Sequence, residues 1–185
     1  MINIQDVLNK PILGDVIDVL PQLPDKCIHS IVSSPPYWAV REYPIEPTDW
    51  PEITFSIFGF PVTIPAIRCQ LGQEKAPMEF IGHTVYVFRL AHRVLRDDGT
   101  VWMNMGDCYN SKSGGYKLNQ SRGYHSYIDE ATHKARIKNN RNLKNGLKPK
   151  DMVGIPWMLA FALRDDGWYL RQDIIWNKQI GRAHV

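Results

Sequence analysis

Ser34-Pro35-Pro36-Tyr37-Trp38 sets a hydroxyl, two prolines and two aromatic rings side by side, and the chemistry they could do is recognition of a flat, amine-bearing ring. Each proline fixes φ and lacks a backbone N–H, so the pair cannot extend a sheet ladder. It does keep its carbonyls as rigid acceptors. The Pro35 carbonyl and the Ser34 hydroxyl can each accept a hydrogen bond from an exocyclic amine, and Tyr37, with Trp38 beside it, offers a face on which the ring can stack. Ser34 is a poor base at neutral pH, so the role it suits is orientation of the amine rather than proton abstraction.

Several elements must hold this corner. Ile28-His29-Ser30-Ile31-Val32 reads as a short buried strand that stops at the prolines, and in open α/β sheets ligands bind at the carboxyl ends of strands. Upstream, the run from Pro11 to Leu20 predicts a short strand, a Gly14-Asp15 turn and one or two helical turns, a compact β-α-β start. Asp15 then lies at a strand end, where its residue type suits a helix N-cap without excluding a ligand contact. Ala39 to Cys69, dense in proline and aromatic residues, predicts an irregular excursion with one short strand pair near Phe60 to Ile67. From Pro77 to Leu95 the apolar residues recur at three and four, which predicts a helix, and Asp97-Asp98-Gly99 closes it before a second buried strand at Thr100 to Met105. Later, Asp151 as N-cap and Pro156 near the first turn predict a helix through Leu163, stopped at Asp165-Asp166-Gly167. Trp168 to Lys178 reads as one long strand.

The chain has 185 residues, 44% of them hydrophobic and 22% charged, the composition of one ordinary globular domain with its own core. No run approaches a membrane-spanning length and the start has no signal pattern, so a cytoplasmic location is expected. Cys27, Cys69 and Cys108 lack paired spacing, and His125 and His133 lack partners at ligand spacing, so neither a disulfide framework nor a metal site is expected. The net charge of +3 is concentrated between Asn110 and Lys150, where Lys112, Lys117, Arg122, Lys134 and Arg136 are interleaved with Tyr116, Tyr124 and Tyr127. Low hydrophobicity there predicts a basic mobile loop over 110–150: a solvated surface loop, or an arm that neutralises phosphates and stacks on bases.

Ser34-Pro35-Pro36-Tyr37 resembles the catalytic motif of the S-adenosylmethionine-dependent DNA methyltransferases that modify exocyclic amino groups. The resemblance extends to Leu71-Gly72-Gln73-Glu74, to Arg93 through Gly99, and to Gly106-Asp107-Cys108-Tyr109, where Cys108 departs from the Ser of the similar family sequence. Its most specific stretch runs from Leu147 to Lys178, with Ile155-Pro156-Trp157, Asp166-Gly167-Trp168 and Ile174-Ile175-Trp176 in family order. This implies a Rossmann-like α/β methyltransferase sheet with helices on both faces, S-adenosylmethionine as cofactor, and Asp15 against its adenine. It also implies double-stranded DNA as substrate, with the target base flipped onto Tyr37 and Trp38.

The resemblance further implies restriction-modification biology, with a restriction endonuclease as an admissible partner and a bacterial or viral origin. Ser in the first motif position is associated in the family mainly with N4 of cytosine, and Asp or Asn with N6 of adenine; cytosine is therefore favoured and adenine is the alternative. The family's cofactor glycine loop has no counterpart here, since Gly114-Gly115 has neither a strand before it nor a helix after it. Residues 1–178 are thus expected to be a partial catalytic domain whose glycine-loop half is absent. Gln179 to Val185, which back-translates into a common sequencing adapter, is expected to be a non-native tail. An inactive truncated fragment that only binds DNA is the reading from another class.

Overall fold

A computed structural model describes residues 2–110, 147–148 and 150–177. The loop residues Lys112, Lys117, Arg122, Lys134 and Arg136, expected to meet DNA, lie outside the described residues, as do Lys178 and the seven residues after it.

Two strands carry the corner. β1 (Ile28–Ser33) and β6 (Leu95–Met103) pair in parallel, with Ser30 opposite Thr100, Val32 opposite Trp102 and Ser33 opposite Met103. The Ser33 carbonyl then accepts from Asn104 N at 2.9 Å, so both strands end at the same level and release their following residues side by side. Parallel strands need a long crossover, and this one contains everything from the prolines to the end of a helix. That helix, α3 (Pro77–Val94), matches the predicted span closely. Pro77 fits its first turn, where no N–H is needed, and Glu79 Oε2 accepts from Ala76 N at 3.1 Å. Its apolar stripe, with Phe80, Ile81 and Val85 fully buried, faces the core.

The excursion before α3 is more ordered than its proline content suggests. β2 (Thr48–Trp50) and β5 (Ile67–Cys69) pair antiparallel around a hairpin of β3 (Ile53–Ile57) and β4 (Phe60–Ile64). The hairpin turns through Phe58 and Gly59, both at positive φ (54° and 78°), the two-residue geometry that matches strand twist. Ile53 and Phe55 face inward while Thr54 pairs outward with Thr63 through their hydroxyls at 2.9 Å. Pro61 is tolerated because β4 has a partner on one side only.

α4 (Ile155–Asp165) packs on α3 and the hairpin, burying Ile155, Leu159 and Ala162 in the same core as Phe55, Ile64 and Phe80. Arg89 on α3 clamps its far end, donating from Nε to both carboxylate oxygens of Asp166 (2.9 and 3.0 Å) and from Nη2 to Thr54 O at 2.9 Å. Arg93, one turn on, holds the amino-terminal segment through Asp25 and through the carbonyls of Leu20 (2.7 Å) and Leu23 (3.0 Å).

Two predicted strands do not form. Residues 11–15 make no ladder, and the short helices α1 (Ile4–Val7) and α2 (Val16–Val19) precede β1 without a strand between them. Residues 168–177 are likewise without strand structure, and Tyr169, Ile175 and Trp176 are largely exposed. A strand needs a neighbour to take its N–H and C=O groups, and among the described residues none lies beside either segment. The fold is α/β as expected, and among the described residues the strands form three two-stranded pairs rather than one wide sheet.

Candidate functional site

The site is the level at which β1 and β6 end together. Ser34 is exposed and Pro35, Pro36 and Tyr37 are half-buried. Ser34 Oγ lies 3.4 Å from the Tyr37 hydroxyl, so the side chains at the two ends of the motif face each other across the prolines. From the other strand comes Gly106. A Cβ added there would stand 2.8 Å from both Cδ2 and Cε2 of Tyr37, so the tyrosine ring lies directly on the glycine backbone. Gly72 approaches from a third direction at φ 91°, and a Cβ on it would meet Tyr37 O at 3.2 Å and Pro36 Cβ at 3.3 Å. Two glycines from distant parts of the chain thus shape the seat of the tyrosine.

Each glycine sits in a braced loop. Asp107, next to Gly106, accepts through Oδ1 from its neighbour Cys108 N (2.8 Å) and from Ile155 N (3.1 Å), and through Oδ2 from Gly154 N (3.0 Å). These last two are orphan donors at the start of α4. Asp107, and not the predicted Asp151, therefore caps that helix; Asp151 instead takes Lys148 N at 2.8 Å. Asp107→Ala is expected to lower unfolding free energy by about 2 kcal/mol, a large capping effect because several donors are orphaned together. A shift of the urea midpoint at constant slope checks it.

The Gly72 loop is braced from below. Gly72 N donates to Glu74 Oε2 at 2.9 Å and Gly72 O accepts from Ala39 N at 2.7 Å. Glu74 Oε1 stands 2.9 Å from His83 Nδ1 on α3, and both side chains are wholly buried. Trp50 stacks on the His83 ring, centroids 4.3 Å apart at 12°. Trp50 Nε1 donates to the Cys69 carbonyl at 3.0 Å.

Trp38 corrects the sequence reading. It is only 3% exposed, packed in the main core, and its indole N–H donates to Glu74 O at 3.0 Å. It anchors the turn from beneath and offers no open stacking face. Asp15 is the N-cap of α2, its Oδ1 accepting from Ile17 N at 3.1 Å, while Oδ2 accepts from the Thr48 hydroxyl at 2.9 Å. The carboxylate is exposed and each oxygen keeps acceptor capacity.

The structure also groups residues that sequence spacing did not connect. Cys69, Glu74 and His83, from β5, the following loop and α3, bring one donor atom each within 4.8 Å of one another. Their separations of five and nine residues match no short ligand pattern, and only the antiparallel return of β5 beside α3 could have signalled the grouping. Burial, and then the negative charges of Glu74 and Glu79, push the Cys69 thiol up to about 12. In metal-free buffer at pH 8 Cys69 is expected to alkylate at least about a hundredfold more slowly than an ordinary exposed thiol, because the thiolate is the nucleophile. Mass mapping of iodoacetamide adducts against time reads this, and the rate should climb as pH rises.

This corner and its parallel strand pair lie within the stretch that matches a DNA methylase. A family model of that description matches residues 28–184, and the chain belongs to the N6/N4 DNA methylase family. It is 40% identical over 165 residues to the type II methyltransferase M.Cfr9I of Citrobacter freundii, covering 89% of this chain and 45% of that protein. It is 41% identical over 165 residues to M.XycI of Xanthomonas campestris pv. cyanopsidis, with the same coverage, and 38% identical over 170 residues to M.SmaI of Serratia marcescens, covering 91% of this chain and 47% of the relative. The chain thus spans about half the length of the curated relatives it matches. No solved structure matches it. Among the described residues no helix is long and apolar enough to cross a membrane.

Proposed function

We propose that the chain is the base-handling half of an S-adenosylmethionine-dependent DNA methyltransferase that acts on the N4 amine of cytosine. The observation that carries this reading is the seat of Tyr37: a half-buried ring laid on Gly106, with its hydroxyl 3.4 Å from Ser34 Oγ, where two parallel strands end. A base flipped out of the duplex stacks on that ring, and Ser34 and the Pro35 carbonyl accept hydrogen bonds from its amine. The amine lone pair, otherwise delocalised into the ring, is thereby localised and aimed.

Towards S-adenosylmethionine the described residues fit in part. Asp15 is exposed with spare acceptor capacity for an adenine amine. When bound, this cofactor supplies an electrophilic methyl group on a sulfonium. Ser34 and the Pro35 carbonyl would hold the amine with its lone pair turned towards that methyl group, and the surplus N–H proton would pass to water. Ser34 orients throughout and needs no activated form.

The wide Rossmann-like sheet with helices on both faces belongs to this reading too. Val32 (81% exposed) and Trp102 (53%) face outward on the β1–β6 pair, and Ile174-Ile175-Trp176 follow in an unpaired segment. Apolar side chains so exposed suit the strands of a wider sheet covered on both faces. The basic residues Lys112, Lys117, Arg122, Lys134 and Arg136 are proposed to hold the phosphates of double-stranded DNA. A restriction endonuclease is the matching partner activity, as the type II names of the relatives suggest.

The test is chemical identity of the product. The complete reading frame is expressed in a methylation-deficient bacterial host and its DNA is digested to nucleosides for mass spectrometry. N4-methylcytosine is expected. N6-methyladenine instead would keep the mechanism and overturn the choice of base, and neither product would overturn the proposed activity.

A further inference from the structure

Under the Tyr37–Trp38 turn lies a cluster that methyl transfer does not use. Cys69, Glu74 and His83 present one sulfur, one oxygen and one nitrogen donor within 4.8 Å of one another. Glu74 and His83 are fully buried, and Cys69 reaches partway to the surface. The Glu74–His83 pair is incompletely served on its own. A neutral imidazole with its proton on Nδ1 leaves the buried carboxylate charge balanced only by N–H groups, from Gly72 and from the ring. An imidazolium balances that charge but carries a second N–H on Nε2, which is buried with no hydrogen-bond partner. Either state leaves something uncompensated in the interior.

We propose that Cys69, Glu74 and His83 bind a divalent metal ion of the zinc class, which staples the Gly72 loop to β5 and α3 beneath the tyrosine seat. One sulfur, one nitrogen and one carboxylate oxygen form a borderline donor set suited to Zn²⁺ or Co²⁺ and unsuited to Mg²⁺ or Ca²⁺, which take oxygen. The half-exposed Cys69 side would give the ion its entry. Gly72 N–H already holds the other carboxylate oxygen of Glu74, and the Trp50 indole lies flat on the His83 ring and fixes its plane. Because Trp38 hangs on the Glu74 carbonyl and Tyr37 rests on Gly72, ordering this cluster orders the corner above it.

Cobalt is the probe. The purified chain is stripped with chelator and titrated with Co²⁺, following the thiolate-to-cobalt charge-transfer band, with circular dichroism on every variant to establish folding. One equivalent per chain with that band is expected. Cys69→Ser, a mild change at a half-buried position, should abolish the band and weaken binding at least about tenfold, and Cys27→Ser should leave both intact. Zn²⁺ should displace the cobalt and raise the melting midpoint of the unsubstituted chain but not of the Cys69→Ser variant. No saturable binding would overturn the site, as would a band that survives Cys69→Ser. Cobalt bound without a thiolate band, the signature of histidines elsewhere in the chain, would overturn it as well. None of these outcomes depends on methyl transfer.

Discussion

Gly106→Ala is expected to lower the methyl-transfer rate about a hundredfold, the scale on which a displacement of around 1 Å costs a well-oriented reaction. The added Cβ would fall 2.8 Å from two ring carbons of Tyr37, closer than side-chain atoms approach each other. Neither side can yield easily. The Gly106 loop is pinned by Asp107 to the first turn of α4, and the Tyr37 main chain is pinned against Gly72 by a carbonyl that a Gly72 Cβ would itself meet at 3.2 Å. The ring must therefore rotate off its seat. The three atoms nearest the added Cβ all belong to the Tyr37 side chain, so the fold should survive, and the loss should appear in kcat more than in cofactor affinity. Steady-state kinetics on the complete enzyme with tritiated cofactor, alongside a urea midpoint close to that of the parent, would show this pattern.

Glu74→Ala should be the most damaging change to stability, at about 2–6 kcal/mol, the cost of leaving two buried donors without their acceptor at roughly 1–3 kcal/mol each. It removes the acceptor for Gly72 N–H and the partner of His83 Nδ1, both in places water does not reach. Domain stabilities are typically about 5–15 kcal/mol, so the variant would stand close to unfolding at room temperature. Glu74→Gln should recover part of the loss, because one amide oxygen can still accept from Gly72 or His83. Urea denaturation of the three proteins followed by tryptophan fluorescence gives the ranking. A Glu74→Ala midpoint equal to that of the parent would show that the pair carries no weight.

Helices were the legible part of the fold. The three-and-four spacing of α3 and the Pro156 and Gly167 punctuation of α4 are local signals, and the structure has helices at Pro77–Val94 and Ile155–Asp165. Strands were less so, since a strand is stable only beside another. Ile28–Ser33 and Leu95–Met103 found each other, whereas residues 11–15 and 168–177 carry strand-like residues with no neighbour. The hairpin at Ile53 to Ile64 was written in alternation around Phe58-Gly59, but nearby prolines obscured it.

The corner itself was legible as residue types. Of its support, Gly72, Gly106 and Asp107 were legible only as motif residues and His83 not at all, because all four act through contacts across long stretches of chain. Trp38 shows the limit most clearly. Adjacent to Tyr37 in sequence, it points the other way, into the core, and the choice between base contact and anchor is made by packing that no local pattern encodes.

Single-turnover methyl transfer by the complete enzyme carrying Ser34→Ala or Tyr37→Ala, with enzyme in excess over DNA, tests the central claim most directly. If Ser34 and Tyr37 hold the amine and the ring, each variant loses at least about tenfold in the chemical step, the cost of one charge-free hydrogen bond or one stacking face, and Tyr37→Ala also weakens binding of the flipped base. Full parental rates in both variants would contradict the account, because the corner at the end of β1 would then not be where the base is held.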